Sequence, residues 1–478
     1  MNRREFAKSV TTLLAGYSTN REFGAAQLHL TASDGADRYN VREFGALGNG
    51  FADDTTAFER ALASAGTRGG TVLVPSGRFP IKRSLHLRDG VILQGIGKQS
   101  VIHHDSGEPI VLVCVGVRDA GVHNLAILGQ FAFGLLVEQS SSITVTRCVI
   151  SGGQERWLTS GFCGGVFVTQ SHDVAIEDNE LRGNGQIKQG ILSSDILING
   201  FGTNVSSNAI RIRRNHCEST ATQCCISAYD IRESDITGNA CSGAKTGPNN
   251  NNGYGIMIYQ TAGSPGSCFD NTVAHNHVSN TQGAGIYLQQ SNRSRVLANV
   301  IEDVASVQAD ETLPVAGVAL NQSQHVVIAE NRITRVGRAG ISIASNRANV
   351  GHVEVKRNTI EHTGGMGIHL RGILEDIAVS GNTVTDTDGG IGSYTDHPQS
   401  EIMIVDNTVS ATKGISPGIV LSNATKSTIN KNRVSDSGGY GVALTLGDTA
   451  SKAEGNLVVR SGRGGPGKYQ DLYISRHK

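Results

Sequence analysis

Charge of one sign, aromatic side chains and long apolar runs are all scarce in this chain. Its 478 residues carry 42 Lys plus Arg against 42 Asp plus Glu. That zero balance leaves no electrostatic footprint for phosphates and argues against a nucleic-acid partner. No apolar run reaches the roughly 20 residues of a bilayer span. Aromatic residues make up 5% of the chain, with one Trp and four Met, so the core must be built from small β-branched and aliphatic side chains. The few Met and the scattered His give no copper-site pattern. Eight Cys are present, but no C-x-x-C pair, so a zinc site is unsupported.

Glycine is abundant, at 60 residues, and so is one short phrase. An Asn, any residue, then an apolar residue or Cys recurs at Asn179, Asn215, Asn239, Asn276, Asn299, Asn331, Asn358, Asn382, Asn407, Asn432 and Asn456. The spacing has a floor of about 24 residues with occasional insertions, the mark of a solenoid with one repeat per coil. Length alone would allow several ordinary domains, but repeats that share one core override that prior. Stacked Asn side chains can hydrogen-bond along the axis, and Asn tolerates turn dihedrals, so the series is structural. Cys217 and Cys241 stand two residues after an Asn, where other coils carry Leu181, Val278 or Ile301. They read as core residues, and the adjacent Cys224 and Cys225 cannot bridge each other, so no disulfide framework is expected.

A second phrase is glycine followed by alternating residues, as in Gly255-Ile256-Met257-Ile258-Tyr259, Gly285-Ile286-Tyr287-Leu288-Gln289 and Gly367-Ile368-His369-Leu370-Arg371. Period-two alternation predicts strands with Ile and Leu inward and the intervening residues outward. The outward residues then form two columns, Phe167, Ser227, Met257, Tyr287, Ala319, Ser342, His369 and Thr169, Tyr229, Tyr259, Gln289, Asn321, Ala344, Arg371. Tyr229, Tyr259 and Tyr287 are expected near one another on an exposed face. Residues 39–104 differ: a strand and Gly-rich turn precede Asp53 and Asp54, which offer N-cap chemistry to a helix over 54–65 with Phe58, Ala61, Leu62 and Ala65 on one face. Such a helix would cover the first coil, whose open edge must be protected.

The segment from Tyr39 to Gly95, with the phrases YNVREFGALGNGFADDTTAFERAL, GGTVLVPSGRF and GVILQGIG, resembles the N-terminal region of the pectate-lyase-like, right-handed parallel β-helix superfamily. The later repeats resemble that superfamily's β-helix repeats. The resemblance implies an all-β, right-handed parallel β-helix with a short N-terminal capping helix. Residues 1–26 read as an export signal, 27–104 as the cap and first coils, and 105–478 as the helical repeats with a C-terminal cap. Residues Asn2 to Lys8 resemble a twin-arginine signal, with Arg3-Arg4, Phe6 and Lys8, followed by a mildly apolar stretch to Tyr17 and a cleavage-like Gly24-Ala25-Ala26. A periplasmic or secreted protein is expected.

The long repeat intervals place insertions at 183–202, 243–253 and 305–314, the last with Asp310 and Glu311, where they would wall a groove. Tyr229-Asp230-Ile231-Arg232-Glu233 resembles the D-P-H-E phrase of β-helix mannuronan epimerases at Asp230 and Glu233, with Ile231 for the proline and Arg232 for the histidine. That resemblance implies uronate chemistry: Arg232 neutralising the substrate carboxylate, Asp230 removing the C5 proton and Tyr259 acting as acid, with Glu233 beside them. Tyr229, Tyr287, Gln289, Asn321, His369 and Arg371 are the expected substrate contacts, because Tyr faces and polar tips suit sugar rings. His369 and Arg371 form a second cluster with Tyr394, Asp396 and His397. The N-T-D, G-H-G and R-I-K phrases of polygalacturonases and the R-x-P-x-x-R phrase of one pectate lyase family are absent. The expectation is therefore an exported polysaccharide lyase acting on a uronate-containing glycan. A glycoside hydrolase using Asp230 and Glu233, a uronate epimerase, and a non-catalytic glycan-binding or envelope protein are the alternatives. No cofactor is identified, with Ca2+ left open. The partner is a polysaccharide or oligosaccharide, and the chain is a monomer or a homotrimer.

Overall fold

The computed structural model describes residues 37–105, 108–152, 161–185, 191–199, 206–219, 222–246, 253–261, 266–305, 315–395, 397–445, 450–462 and 472–474. The expected export signal, Asp310, Glu311 and Asp396 lie outside these residues. Contacts divide the chain into two units. The first holds Met1–Asp235, Gly247–Asn249 and Thr261–Ser264; the second holds Ile236–Thr246, Asn250–Gln260 and Pro265–Lys478.

Each unit is a stretch of parallel β-helix, with three short strands per coil. In the first, Phe133–Glu138, Ser141–Thr146 and Val149–Ser151 make one coil. Each strand pairs in parallel with its counterpart in the next, Gly161–Thr169, His172–Glu177 and Glu180–Arg182. In the second unit, Ile286–Gln289, Arg295–Leu297 and Val300–Val304 pair with Ala316–Asn321, Val327–Ala329 and Arg332–Val336. Inward Ile286, Leu288, Val318, Leu320, Ile341, Ile343, Ile368 and Leu370 are almost fully buried, as the alternation predicts. The eight Cys are buried and unbridged. Cys217 aligns with Leu181, and Cys241 with Val278, as core residues. Burial pushes the Cys114 and Cys148 thiols up to about 12, so they stay protonated.

The capping helix α1 spans Thr55–Ala65, with Phe58, Ala61, Leu62 and Ala65 inward. Its cap chemistry differs from the expectation. Asp53 Oδ1 accepts from the Thr55 amide at 3.0 Å, while the Asp54 carboxylate accepts from the Leu47 and Gly48 amides at 2.7 and 3.0 Å. Asp54 therefore braces the preceding turn and the helix start falls to Asp53.

In the second unit the Asn series forms a buried ladder. From Asn276 onward, each Asn Oδ1 accepts from both the backbone amide and the side-chain amide of the Asn one coil earlier, as Asn299 does from Asn276 at 2.9 and 3.0 Å. Its own amide reaches a backbone carbonyl of that earlier coil, Val273 for Asn299. The left-handed dihedral belongs to the preceding residue, such as His275, Ala298, Glu330 or Arg357, so the value of Asn here is its amide and not its backbone tolerance.

The phrase-initial glycines are required by space. A Cβ on Gly317 would lie 2.5 Å from Ile333 Cγ2 and 2.7 Å from the Gly340 carbonyl oxygen. Gly317→Ala is expected to destabilise the protein by about 1–3 kcal/mol through overpacking, read as a lower midpoint in thermal unfolding. An unchanged midpoint would show that the neighbouring coil yields freely.

Candidate functional site

The outward columns have the expected register but are not an exposed face. In the second unit, Met257, Tyr287, Ala319, Ser342 and His369 are successive partners, as are Tyr259, Gln289, Asn321, Ala344 and Arg371. Tyr287 is 3% exposed and Met257 2%; Tyr259, Gln289, Asn321 and His369 are half-buried, and Arg371 is exposed. In the first unit Tyr229 is 7% exposed. The outward side is thus covered at Met257, Tyr287 and Tyr229 and partly open at Tyr259, Gln289, Asn321 and His369, which period-two alternation cannot reveal because it reports only the inward face.

The Tyr287 hydroxyl donates to Gln289 Oε1 and is also hydrogen-bonded by the Asn321 side chain. Its ring lies 5.0 Å from that of Tyr254. Burial raises the Tyr287 pKa, so it remains a phenol that donates. Asn321 Oδ1 is buried without a hydrogen-bond partner. Farther along, His369 and Arg371 lie two residues apart on one strand and share a face. Burial, helped by the Arg371 charge, lowers the His369 pKa to about 4, so its imidazole is neutral at ordinary pH. Gly392 is the register partner of His369, and Tyr394, two residues beyond it, is 58% exposed; His397 is exposed too.

The Tyr229–Glu233 phrase is placed differently from its expected role. Asp230 is 1% exposed, with φ +54°. Its carboxylate accepts from the Thr261 amide at 2.9 Å and from the Thr261 hydroxyl at 2.5 Å. Other coils carry Ser at the following turn position, such as Ser140 and Ser171, whose hydroxyls satisfy turn groups. This coil has Ile231 there, and Asp230 takes over the task. It is a turn brace without access to a substrate, so a base role and an Asp230–Glu233 hydrolytic pair lose their support. Glu233 is exposed and Arg232 half-buried.

Residues 183–202 are corrected as well. They contain the strand Ile191–Asn199, in register with Gly161–Thr169, and are not a simple insertion. Asp195 occupies the position held by Gly in other coils, which hid the phrase. Sequence reasoning also missed Glu138, whose only signal is a carboxylate ending the apolar run Phe133-Gly134-Leu135-Leu136-Val137. Among the described residues, no group of three or more His, Cys, Asp or Glu is arranged to hold a metal ion. No described helix is long and apolar enough to cross a membrane.

The family described as right handed beta helix region matches residues 196–372 and 314–458, together more than half of the chain, and the protein belongs to it. Residues 38–109 match the rhamnogalacturonase A/epimerase, pectate lyase-like family. Mannuronan C5-epimerase AlgE4 of Azotobacter vinelandii is 29% identical over 159 residues, 30% of this chain and 26% of that protein. The pre-neck appendage protein of Bacillus phage B103 is 35% identical over 63 residues, 13% of this chain and 7% of that protein. The chain thus spans about a quarter or less of these relatives. Among solved structures, the Streptococcus pneumoniae surface adhesin PfbA aligns with 14% identity and a TM-score of 0.48, covering 89% of this chain and 100% of that one. The catalytic unit of a GH87 alpha-1,3-glucanase from Streptomyces thermodiastaticus strain HF3-3 aligns with 16% identity and a TM-score of 0.47, covering 90% and 71%.

Proposed function

We propose that the protein is an exported carbohydrate-active enzyme acting on a uronate-containing polysaccharide, most simply by β-elimination. The observation that carries this reading is the pairing of a neutral His369 with Arg371 on one face of one strand. In β-elimination or epimerisation, the proton on C5 becomes acidic only when the adjoining carboxylate is neutralised. Arg371 supplies the positive charge. His369, held deprotonated by burial, takes the proton, and the Tyr394 hydroxyl serves as the acid on the leaving side. The half-buried Tyr259, Gln289 and Asn321 extend the strip in steps of about 4.8 Å per coil and contact further sugar residues through the Tyr259 ring and their polar tips, while the buried Tyr287 holds Gln289 and Asn321 in place. Relatives that are mannuronan C5-epimerases support the substrate class. The burial of Asp230 favours one second reading, a glycan-binding protein without turnover.

The full chain would be incubated with polymannuronate, polygalacturonate and α-1,3-glucan. Unsaturated ends identify a lyase, C5 inversion without scission an epimerase, and reducing ends without unsaturation a hydrolase. His369→Ala and Arg371→Ala are each expected to lower kcat/KM by about 100-fold, and the wild-type acid limb should fall near pH 4, where His369 gains its proton. Turnover that survives both substitutions removes this site. Binding with no product from any glycan establishes the second reading.

A further inference from the structure

In the first unit, Val137 aligns with Cys114 and Val168, and Leu135 with Leu112 and Val166, all inward. Alternation therefore turns Leu136 and Glu138 outward. The Leu136 column is apolar, with Val113, Phe167 and Leu197. The Glu138 column becomes polar, continuing through Thr169 and Asn199.

Glu138 is 6% exposed, and its Oε2 is buried without any hydrogen-bond partner. The carboxylates of the next coil are paired with cations: Asp173 with Arg211, Glu177 and Asp178 with Arg214, and Glu180 with Lys98 and Arg182. The turn after Glu138 does not reach back to its carboxyl. Ser140 Oγ donates to the Cys114 and Glu138 backbone carbonyls, and Gln139 Nε2 to Gln170 Oε1. The flanking strands Ile110–Val115 and Gly161–Thr169 carry no Asp, Glu, His, Lys or Arg; their titratable groups are the buried Cys114 and Cys163 thiols. Burial alone raises the Glu138 pKa. A buried carboxyl oxygen without a donor is costly, and a sequence that keeps one has a use for it outside stability.

We propose that Glu138, with Thr169 and Asn199, is a second ligand-facing ladder whose carboxyl hydrogen-bonds the hydroxyl groups of a glycan. The ligand class rests on the functional reading above; the ladder itself rests on the first unit alone. A carboxyl accepts from sugar hydroxyls, and whenever it carries its proton it donates to them as well. Thr169 and Asn199 repeat hydroxyl and amide groups at the coil spacing of about 4.8 Å.

The test is calorimetric titration of the full chain with mannuronate oligosaccharides and with α-1,3-linked glucose oligosaccharides, at about pH 4, below the ordinary Glu value, and at about pH 9, far above it. Wild-type affinity is expected to fall about tenfold at the higher pH, the size of one lost hydrogen bond. Glu138→Gln should remove that pH slope, and Glu138→Leu should weaken binding about tenfold or more at the lower pH while raising the thermal midpoint. If wild type binds and both variants bind equally well with the wild-type slope, this proposal is overturned and the glycan reading stands. If Glu138→Leu fails to fold, the slope of Glu138→Gln decides alone. A wild-type chain that binds neither oligosaccharide overturns the glycan reading and this assignment together.

Discussion

Asn331→Ala is expected to lower the unfolding free energy by about 3–5 kcal/mol, because it strands several buried polar groups at once. Asn331 Oδ1 accepts from the Asn299 backbone amide at 3.0 Å and the Asn299 side chain at 2.9 Å. Its Nδ2 donates to the Val296 carbonyl at 3.0 Å and to Asn358 Oδ1 at 2.9 Å. Asn331 is 1% exposed, so water cannot replace these partners without entering the core. Asn456 is the control. It accepts the same two bonds from Asn432 and donates to Ile429, but it is half-buried, and Asn456→Ala should cost about 1–2 kcal/mol. Asn331→Asp separates donation from acceptance: it keeps the bonds from Asn299, yet its carboxylate oxygen faces Val296 O and Asn358 Oδ1. It should be at least as destabilising as Ala. The measurement is the urea midpoint of the full chain at constant pH. Equal losses at Asn331 and Asn456 would show that solvent, not the ladder, satisfies these groups.

The same ladder shows why the fold was legible in the sequence while the site was only partly so. A repeat writes its inward face many times, so Ile301, Ile333, Ile360 and Val384 align by simple counting and all prove buried. The outward register was legible for the same reason: Tyr287, Ala319, Ser342 and His369 do form one column. Exposure was not legible, since nothing in the alternation around Tyr287 says that its outer side is covered. Asp230 was misread because local sequence shows a polar cluster but not the Thr261 amide that holds its carboxylate. The neutral state of His369 was equally hidden, because it depends on burial and on Arg371, two residues away on the same face. Asp195 went unnoticed because it breaks the glycine phrase that served to find strands.

That departure carries the second large effect: Asp195→Asn is expected to stabilise the protein at pH 8 by an amount of order 4 kcal/mol and to have little effect near pH 4. Asp195 is fully buried. Asn184 Nδ2 donates to its Oδ1 at 3.0 Å, and the Ser219 hydroxyl donates to its Oδ2. Burial raises its pKa from 3.8 to about 7, opposed by the Ser219 and Asn184 hydrogen bonds and reinforced by the Glu218 charge. Between pH 4 and 7 the native state therefore holds a proton that the unfolded chain has released. Stability from this group is fully present below the unfolded pKa and is lost as pH rises through the folded one, after which it stays low. A rise from 3.8 to about 7 corresponds to about 4 kcal/mol, since each tenfold change in proton affinity is worth about 1.4 kcal/mol. Asn removes the ionisation and preserves the geometry: its carbonyl oxygen accepts from Asn184, and its amide donates to Ser219 Oγ. Urea midpoints at pH 4, 6 and 8 should converge for the two proteins at the acid end and diverge at the alkaline end, with Asp195→Asn higher. Parallel curves would mean that Asp195 keeps an ordinary carboxylate pKa, and a lower midpoint at every pH would mean that the ionised carboxylate itself holds Asn184 and Ser219 together.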